Sequence, residues 1–502
     1  MSRPTESTTT AAGLTFETAC DWMPDLFAWL CDRLNDTLSV VVSAGWAVHS
    51  YRELPSLCVA LAASEGGRTP GSVVDYLKGL AWESAVSVGS DDLAQRRFVV
   101  ARAIDEVCGA IHPSWTLPSP PPGLRVIQAW FWGTGRGRYN RVAGGFVIPQ
   151  TPLYPHATPK GQGAGDRLAT LFLHLHRVTG FAPGVHVDFG RIPSRDDFGP
   201  DDLGVIPVVA VAPIAEHIGD LTFTSVTRAA LPCLDVTPTA EFEDRFEATV
   251  PRLLASVDDQ NAAIAVFPEW VMTPRMVDCL RSALRSNVIR NENSSLRMVV
   301  AGSGPTVERC SVTGLSYNES VVLSAAGRVL WRQRKLNHYW MDVGLMRRLG
   351  LETVADSAHM ENIATGRELV VRDGAVGRMM VLICEDLATP RPGLDALTQL
   401  GPDWVFVPIL DRELSAGRWV HQHGFPNAVR FGANAIIATS MVLPLREGVS
   451  GDAVGVGMCI GAGRGRVKIL SVPANADEPS VSSVAWRPEG WAKTRVMLTE
   501  PS

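Results

Sequence analysis

Several patterns are missing from this chain of 502 residues, and each absence closes off a class of protein. No Cys-x-x-Cys pair occurs. The nine cysteines are odd in number and widely spaced, which argues against a zinc ribbon and against a secreted disulfide framework. No lysine- or arginine-rich run stands out, and a formal net charge of -6 leaves no basic footprint for nucleic acid. No apolar run approaches the ~20 residues of a membrane helix; stretches such as Val205 to Ile214 are short and broken by proline. The first residues, MSRPTESTTTAAG, are polar and lack an apolar signal core. No internal repeat is visible. These absences lead us to expect a soluble, cytoplasmic protein with reduced thiols, bound to neither nucleic acid nor membrane.

What is present is an ordinary globular composition, 46% hydrophobic and 20% charged, in a chain too long for one typical core. Residues 1–13 read as a polar arm. Residues 14–112 read as a mostly helical domain: in FETACDWMPDLFAWLCDRL the apolar Trp22, Leu26, Trp29 and Leu30 recur at three- and four-residue steps, and the stretch up to Ile111 repeats that rhythm. The proline cluster PSWTLPSPPPG at 113–123 cannot continue a helix. It opens a Pro/Gly-rich linker and mixed α/β segment, 113–202, in which VIQAWFW (126–132) reads as a strand and RLATLFLHLHRVTG (167–180) as a helix ending at Gly180.

The texture changes at residue 203. VIPVVAVAPI, AAIAVFPEW, LRMVVAGSG, RMMVLICEDL and DWVFVPIL are continuous apolar runs, the pattern of strands buried on both faces. EFEDRFEATVPRLLASV (241–257) reads as an amphipathic helix that Pro251 should kink. SYNESVVLSAAGRVLWRQRK reads as two strands joined at Ala326-Gly327. Strand and helix alternate as in a layered α/β domain over 203–472, followed by a tail, 473–502, whose Trp486 and Trp491 suggest an interface. The Gly/Arg turns GTGRGR (133–138) and GAGRGR (461–466) lack the strand–helix context of a nucleotide loop and read as turns.

Three of these runs end in a reactive side chain: Glu269 in AVFPEW, Lys335 in WRQRKLNHYW and Cys384 in MVLICEDL. A rigid strand places such a group, and the loop after it leaves the group accessible. The order Glu, Lys, Cys with these flanks resembles the nitrilase superfamily of carbon–nitrogen hydrolases over about residues 203–470. The segment YNESVVLSAAGRVLWRQRK resembles the family's pattern of an Asn in a strand, a Gly turn and an Arg-Lys pair. Cys384-Glu385-Asp386 resembles the amidase and glutaminase side of the family; the Trp-Glu that follows the cysteine in the nitrile-cleaving branch is absent.

The resemblance implies an α-β-β-α sandwich and hydrolysis of a non-peptide C–N bond, expected to be a carboxamide, through a Cys384 thioester. No metal or organic cofactor is expected. Glu269 would be the general base and Lys335 the oxyanion stabiliser, assisted by the Glu385 N–H. A second glutamate is expected between lysine and cysteine: Glu361, shortly before Gly366, fits best and Glu352 is the runner-up. His338, Tyr339, Glu385, Trp404 and Arg412 are candidate substrate contacts. Two other readings stay open: acyl transfer to an amine from the same thioester, and an effector controlled through residues 14–200, which resemble no known module and offer a surface for a partner protein. No synthetase phosphate loop is present, so a glutaminase would pass ammonia to another chain. The resemblance also implies a homodimer or larger homo-oligomer acting on a small-molecule amide.

Overall fold

The computed structural model describes residues 15–35, 53–79, 92–109, 145–149, 174–179, 184–193 and 195–198, with positions 124, 125, 127 and 172. It then describes 207–449 apart from 230, 292–293 and 349–356, and 453–495 apart from 462–465, 474–478 and 486–491. The expected arm, the proline cluster, the GTGRGR turn, Glu352, Trp486 and Trp491 lie outside these residues. Two compact units are present, Met1–Pro183 with Phe189–Arg191, and Gly184–Asp188 with Ile192–Ser502. Among the described residues no helix is long and apolar enough to cross a membrane.

The first unit contains α1 (Phe16–Cys20), α2 (Met23–Asn35), α3 (Leu54–Ala62), α4 (Gly71–Lys78) and α5 (Asp92–Gly109). The helical rhythm at its start is broken at Asp21-Trp22, so α1 and α2 are separate; Thr15 caps α1 by accepting from the Thr18 N–H. Met23, Leu26, Phe27, Leu30 and Leu34 of α2 are fully buried, as are Val100, Ala101, Ala103 and Ile104 of α5. Two expectations fail here. Leu175–Thr179, read as part of a helix, is a strand (β2) paired antiparallel with β1 (Gly145–Pro149). The buried Asp105 carboxylate accepts the N–H groups of His174 and Leu175 at 2.8 Å, and Arg177 pairs with Asp32. Tertiary partners thus override a weak local helix preference. Ile127, read within a strand, is helical, and the rest of that segment is outside the described residues.

The second unit is built on two facing sheets. The first has the order β9-β8-β7-β6-β3-β18-β19, where β3 is Val208–Val211, β6 Ile264–Val266, β7 Met298–Arg309, β8 Ser316–Ser324, β9 Val329–Arg334, β18 Ser482–Ala485 and β19 Ala492–Arg495. β3, β6 and β7 are parallel and the flanking pairs antiparallel. One set of alternate residues, Ala210, Ala265, Val299, Ala301, Val321 and Leu323, packs with α6 (Ala240–Asp259) and α7 (Pro274–Arg290). The other set, including Val209, Val211, Ile264, Val266, Val300 and Val322, is just as buried and faces the second sheet. Burial on both faces is what the unbroken apolar runs encode. Each Val, Leu or Ile among them contributes roughly 1.5–3 kcal/mol. α6 runs on through Pro251.

Six strands of the second sheet follow the order β17-β16-β15-β14-β13-β12, with β12 Glu368–Gly374, β13 Gly377–Val381, β14 Trp404–Pro408, β15 Asn434–Ala438, β16 Val454–Ile460 and β17 Val467–Val472. The Gly461 N–H to Arg466 carbonyl bond closes the β16–β17 hairpin, so the described ends of GAGRGR form a turn. α11 (Trp419–Phe431) covers this sheet, and Gly457 of β16 meets Val211 of β3 across the interior. The result is the expected α-β-β-α sandwich.

The sandwich is larger than the 203–472 read from the sequence. Ser482–Ala485, expected in a separate tail, is the β18 strand beside β3. Its serines hide the apolar signal, yet Ser482, Ser483 and Val484 are all buried. Upstream, the His186 N–H donates to the Arg367 carbonyl, Asp188 pairs with Arg372, and Asp196 pairs with Arg328. A smaller third sheet, β10-β11-β5-β4, joins β10 (Trp340–Met341), β11 (His359–Glu361), β5 (Leu231–Pro238) and β4 (Leu221–Arg228).

Candidate active site

Glu269, Lys335, Glu361 and Cys384 come from four elements and meet in one place. Glu269 follows β6. Its loop is held by the Phe267 N–H on the Val300 carbonyl and by the Glu269 N–H on the Ile409 carbonyl. The loop lies so close to β7 that a Cβ at Gly302 would sit 2.0 Å from the Pro268 carbonyl oxygen, and Gly302 has φ +64. Only glycine fits there. Lys335 follows β9, with its N–H on the Asn318 carbonyl and its own carbonyl accepting from Gly366. Glu361 ends β11 in the third sheet.

Cys384 extends the line of β13, its N–H on the Pro408 carbonyl, and then turns sharply at φ 48, ψ −107 into α9 (Glu385–Ala388). Trp270, next to Glu269, also has positive φ. Such conformations cost on the order of 1–3 kcal/mol in a non-glycine residue and persist where surrounding structure holds them. Here Asp386 does much of the holding. Its fully buried carboxylate accepts the N–H groups of Leu336 and Asn337, the Asn337 amide and the Ile383 N–H, binding the residues after Lys335 to the turn at Cys384. Burial pushes Asp386 up to about 7.

The electrostatics are those of a dry charged cluster. The Lys335 side chain is 0% exposed, and its Nζ donates to Glu269 Oε1 at 2.8 Å and to both Glu361 oxygens at 2.7 Å. Asn318 Nδ2 and the Leu410 N–H hold Glu269, while the Trp270 indole and the Tyr339 N–H hold Glu361. Burial alone would lower the Lys335 pKa; the two carboxylates overcome it and hold the ammonium well above its usual range. Burial raises the Glu269 pKa against the pull of Lys335. Burial and the Glu269 charge push the thiol well up, so the resting cysteine is protonated. A thiol and two buried carboxylates therefore line one cleft, and the lysine ammonium is bonded to both carboxylates.

That cleft, about 530 Å³ counted to its open mouth, is lined by Cys384, Glu269, Glu361 and Tyr339 among the expected residues. The other expected contacts fall elsewhere. Trp404 is buried in β14 with its indole on the Val376 carbonyl. Arg412 pairs with Glu447. His338, which burial holds below its usual pKa, is not among the lining residues. Glu385 does not line the cleft either, but it is the first residue of α9, so its N–H has no acceptor within that helix. Trp270, His359, Asp411 and Trp419 line the cleft and were not read from the sequence. Asp411 is one residue from the Arg412 that was. Among the described residues, no cluster of three or more His, Cys, Asp or Glu is placed to hold a metal ion.

No protein-family model and no curated protein matches the chain. Among solved structures, it is similar to the glutamine-dependent NAD+ synthetase from Acinetobacter baumannii, with 17% identity over 59% of this chain and 48% of that one and a TM-score of 0.36. The chain thus spans about half the length of the synthetase. It is similar to Nit3 from Saccharomyces cerevisiae, a member of branch 10 of the nitrilase superfamily, with 15% identity over 57% of this chain and 91% of that one and a TM-score of 0.35. It is also similar to the NitN amidase from Nesterenkonia sp. AN1, with 15% identity over 56% of this chain and 93% of that one and a TM-score of 0.34.

Proposed function

We propose that the second unit is a carbon–nitrogen hydrolase of the nitrilase superfamily that cleaves a carboxamide. The observation that carries this reading is the buried Glu269–Lys335–Glu361 network, whose two glutamates line the same cleft as Cys384.

The chemistry runs from that geometry. Glu269 takes the thiol proton as Cys384 Sγ attacks the amide carbon. The carbonyl oxygen becomes an oxyanion, held by Lys335 Nζ and the Glu385 N–H. Glu269 returns the proton to the nitrogen, the C–N bond breaks and ammonia leaves, with the acyl group now a thioester on Cys384. Water, giving a proton to Glu269, attacks the thioester; a carboxylic acid departs and the thiol is restored. Glu361 touches neither nucleophile nor leaving group. It keeps Lys335 charged and in place.

Ammonia release from a panel of carboxamides and nitriles, beside Cys384→Ala, tests the proposal. Mass spectrometry on the wild type looks for the acyl adduct. Ammonia and an adduct that both vanish in the variant support it. Ammonia at equal rates from wild type and variant refutes it. On the sequence resemblance alone we also propose a homo-oligomer, which sedimentation measures. A regulatory role for the first unit would show as a change in rate or assembly when it is removed.

A further inference from the structure

We propose that the cleft accepts a carboxamide whose acyl group is uncharged and apolar, and that the β4–β5 hairpin sets the length it accepts, with Leu234 and Val236 as specificity residues. This rests on the carboxamide hydrolysis proposed above. The walls beyond the catalytic groups are mostly hydrocarbon, from Leu234 and Val236 of β5, Met341 of β10, Leu345, Leu410 and Trp270, with His359 and Asp411 as the polar exceptions. Tyr339 and Trp419 add aromatic surface. Leu234 and Val236 stand two apart and so face the same way, into the cleft, while Asp235 faces away and accepts from Asn362 Nδ2 at 2.8 Å.

This wall is braced. β5 runs parallel to β11, with Leu234 opposite Glu361, and the Asn362 N–H donates to the Leu234 carbonyl at 3.0 Å. His359 of β11 is fully buried and meets Ser225 Oγ of β4 through Nε2 at 2.9 Å. A braced apolar wall discriminates chain length, because a methylene that fits or fails to fit is felt at roughly 10-fold or more.

Charge points the same way. Among the described residues the lining holds three acids, Glu269, Glu361 and Asp411, and no Lys or Arg. Lys335 is bonded to both glutamates and, in the proposed reaction, serves the amide oxygen, so it does not also serve a second anionic group. The Asp411 carboxylate already accepts the Arg412 N–H, an Arg418 guanidinium N–H and the Trp419 indole. The α-carboxylate of glutamine would enter a site of like charge in which no described lining residue is a Lys or Arg, and a buried unpaired charge is costly. An aliphatic or aromatic acyl group meets matching surface.

Protection of Cys384 from iodoacetamide in the full-length protein tests this without requiring turnover. Peptide mass spectrometry follows Cys384, with Cys310 as an internal reference outside the cleft, and ammonia is measured in parallel. The competitors are acetamide, hexanamide, phenylacetamide and glutamine. Hexanamide or phenylacetamide should half-protect Cys384 at a concentration roughly tenfold or more below that of glutamine. Val236→Thr, of the same shape, and Val236→Ala, of smaller volume, should each shift the hexanamide-to-acetamide ratio. Glutamine protecting as well as hexanamide would overturn the inference, and so would Cys384 labelling that no competitor slows. Protection by apolar amides with no ammonia from any amide upholds the pocket and sinks the hydrolysis. Ammonia from glutamine alone upholds hydrolysis and sinks the pocket.

Discussion

Replacing Lys335 by methionine keeps most of the side-chain volume and removes the one charge that two buried carboxylates share. In the wild type, Nζ lies 2.7–2.8 Å from oxygens of both Glu269 and Glu361, with the lysine side chain 0% exposed. Deleting one partner of a buried ion pair leaves charge uncompensated and costs about 3–5 kcal/mol. A domain of this size responds with roughly 2 °C per kcal/mol, so the second unit's melting temperature should fall by about 6–10 °C near pH 8. The loss should depend on pH. Burial already raises the Glu269 pKa, and without Lys335 its main opposing influence is gone. A carboxyl whose folded pKa lies above its unfolded value contributes stability below about pH 4 that is lost as pH rises through the folded pKa. The variant should therefore approach the wild type at pH 5 and fall furthest behind at pH 8. Lys335 itself, raised well above its ordinary range, contributes fully across this interval in the wild type and loses that contribution only at more alkaline pH. Calorimetry at the two pH values reads the effect, and ammonia release should fall by about 100- to 1000-fold or more. Equal melting temperatures at pH 8, or a deficit that ignores pH, would refute the shared-cation reasoning.

The thiols should separate by pH. Thr313 and the Val312 backbone pull partly exposed Cys310 down to about 6, whereas burial and Glu269 hold Cys384 well above the usual thiol value. Iodoacetamide labelling of Cys310 should therefore level off above pH 7, while that of Cys384 keeps climbing past pH 9; parallel profiles would contradict the assignment. Gly302→Ala forces a Cβ toward the Pro268 carbonyl at positive φ, so it should cost more than about 1 kcal/mol and lower turnover through Glu269. Urea unfolding and ammonia release measure both. Asp386→Asn turns an all-acceptor group into one that presents a donor to the N–H groups of Leu336 and Asn337. A loss of about 1–3 kcal/mol is expected, with turnover falling further than acetamide protection, because the turn at Cys384 loosens before the cleft does.

The legible part of the fold was the part whose sequence repeats one instruction. Runs such as MVLICEDL and DWVFVPIL have no polar face to offer, so they must lie between layers, and the reactive residue at the end of each run lands at a sheet end. Glu361 was reachable through the glycine after it. The β18 strand was not, because two of its four residues are serines whose burial depends on neighbours far away in the chain. Leu175–Thr179 was misread for a similar reason: Asp105, 70 residues earlier, fixes it as a strand. Trp404 and Arg412 were placed by proximity to the cysteine strand, but Trp404 is buried with its indole on the Val376 carbonyl, and Arg412, in the loop after β14, pairs with Glu447 while its neighbour Asp411 lines the cleft.

The pairing of β11 with β5 has a consequence for anyone who would redesign this cleft. The segment that shapes the proposed acyl pocket and the segment that carries Glu361 are adjacent strands of one small sheet, locked at Leu234 and Asn362. Grafting a foreign hairpin to change selectivity would also displace the acid that keeps Lys335 charged. Selectivity and rate are therefore not independent dials here: side-chain exchanges at positions 234 and 236 can turn the first alone, whereas backbone exchanges turn both.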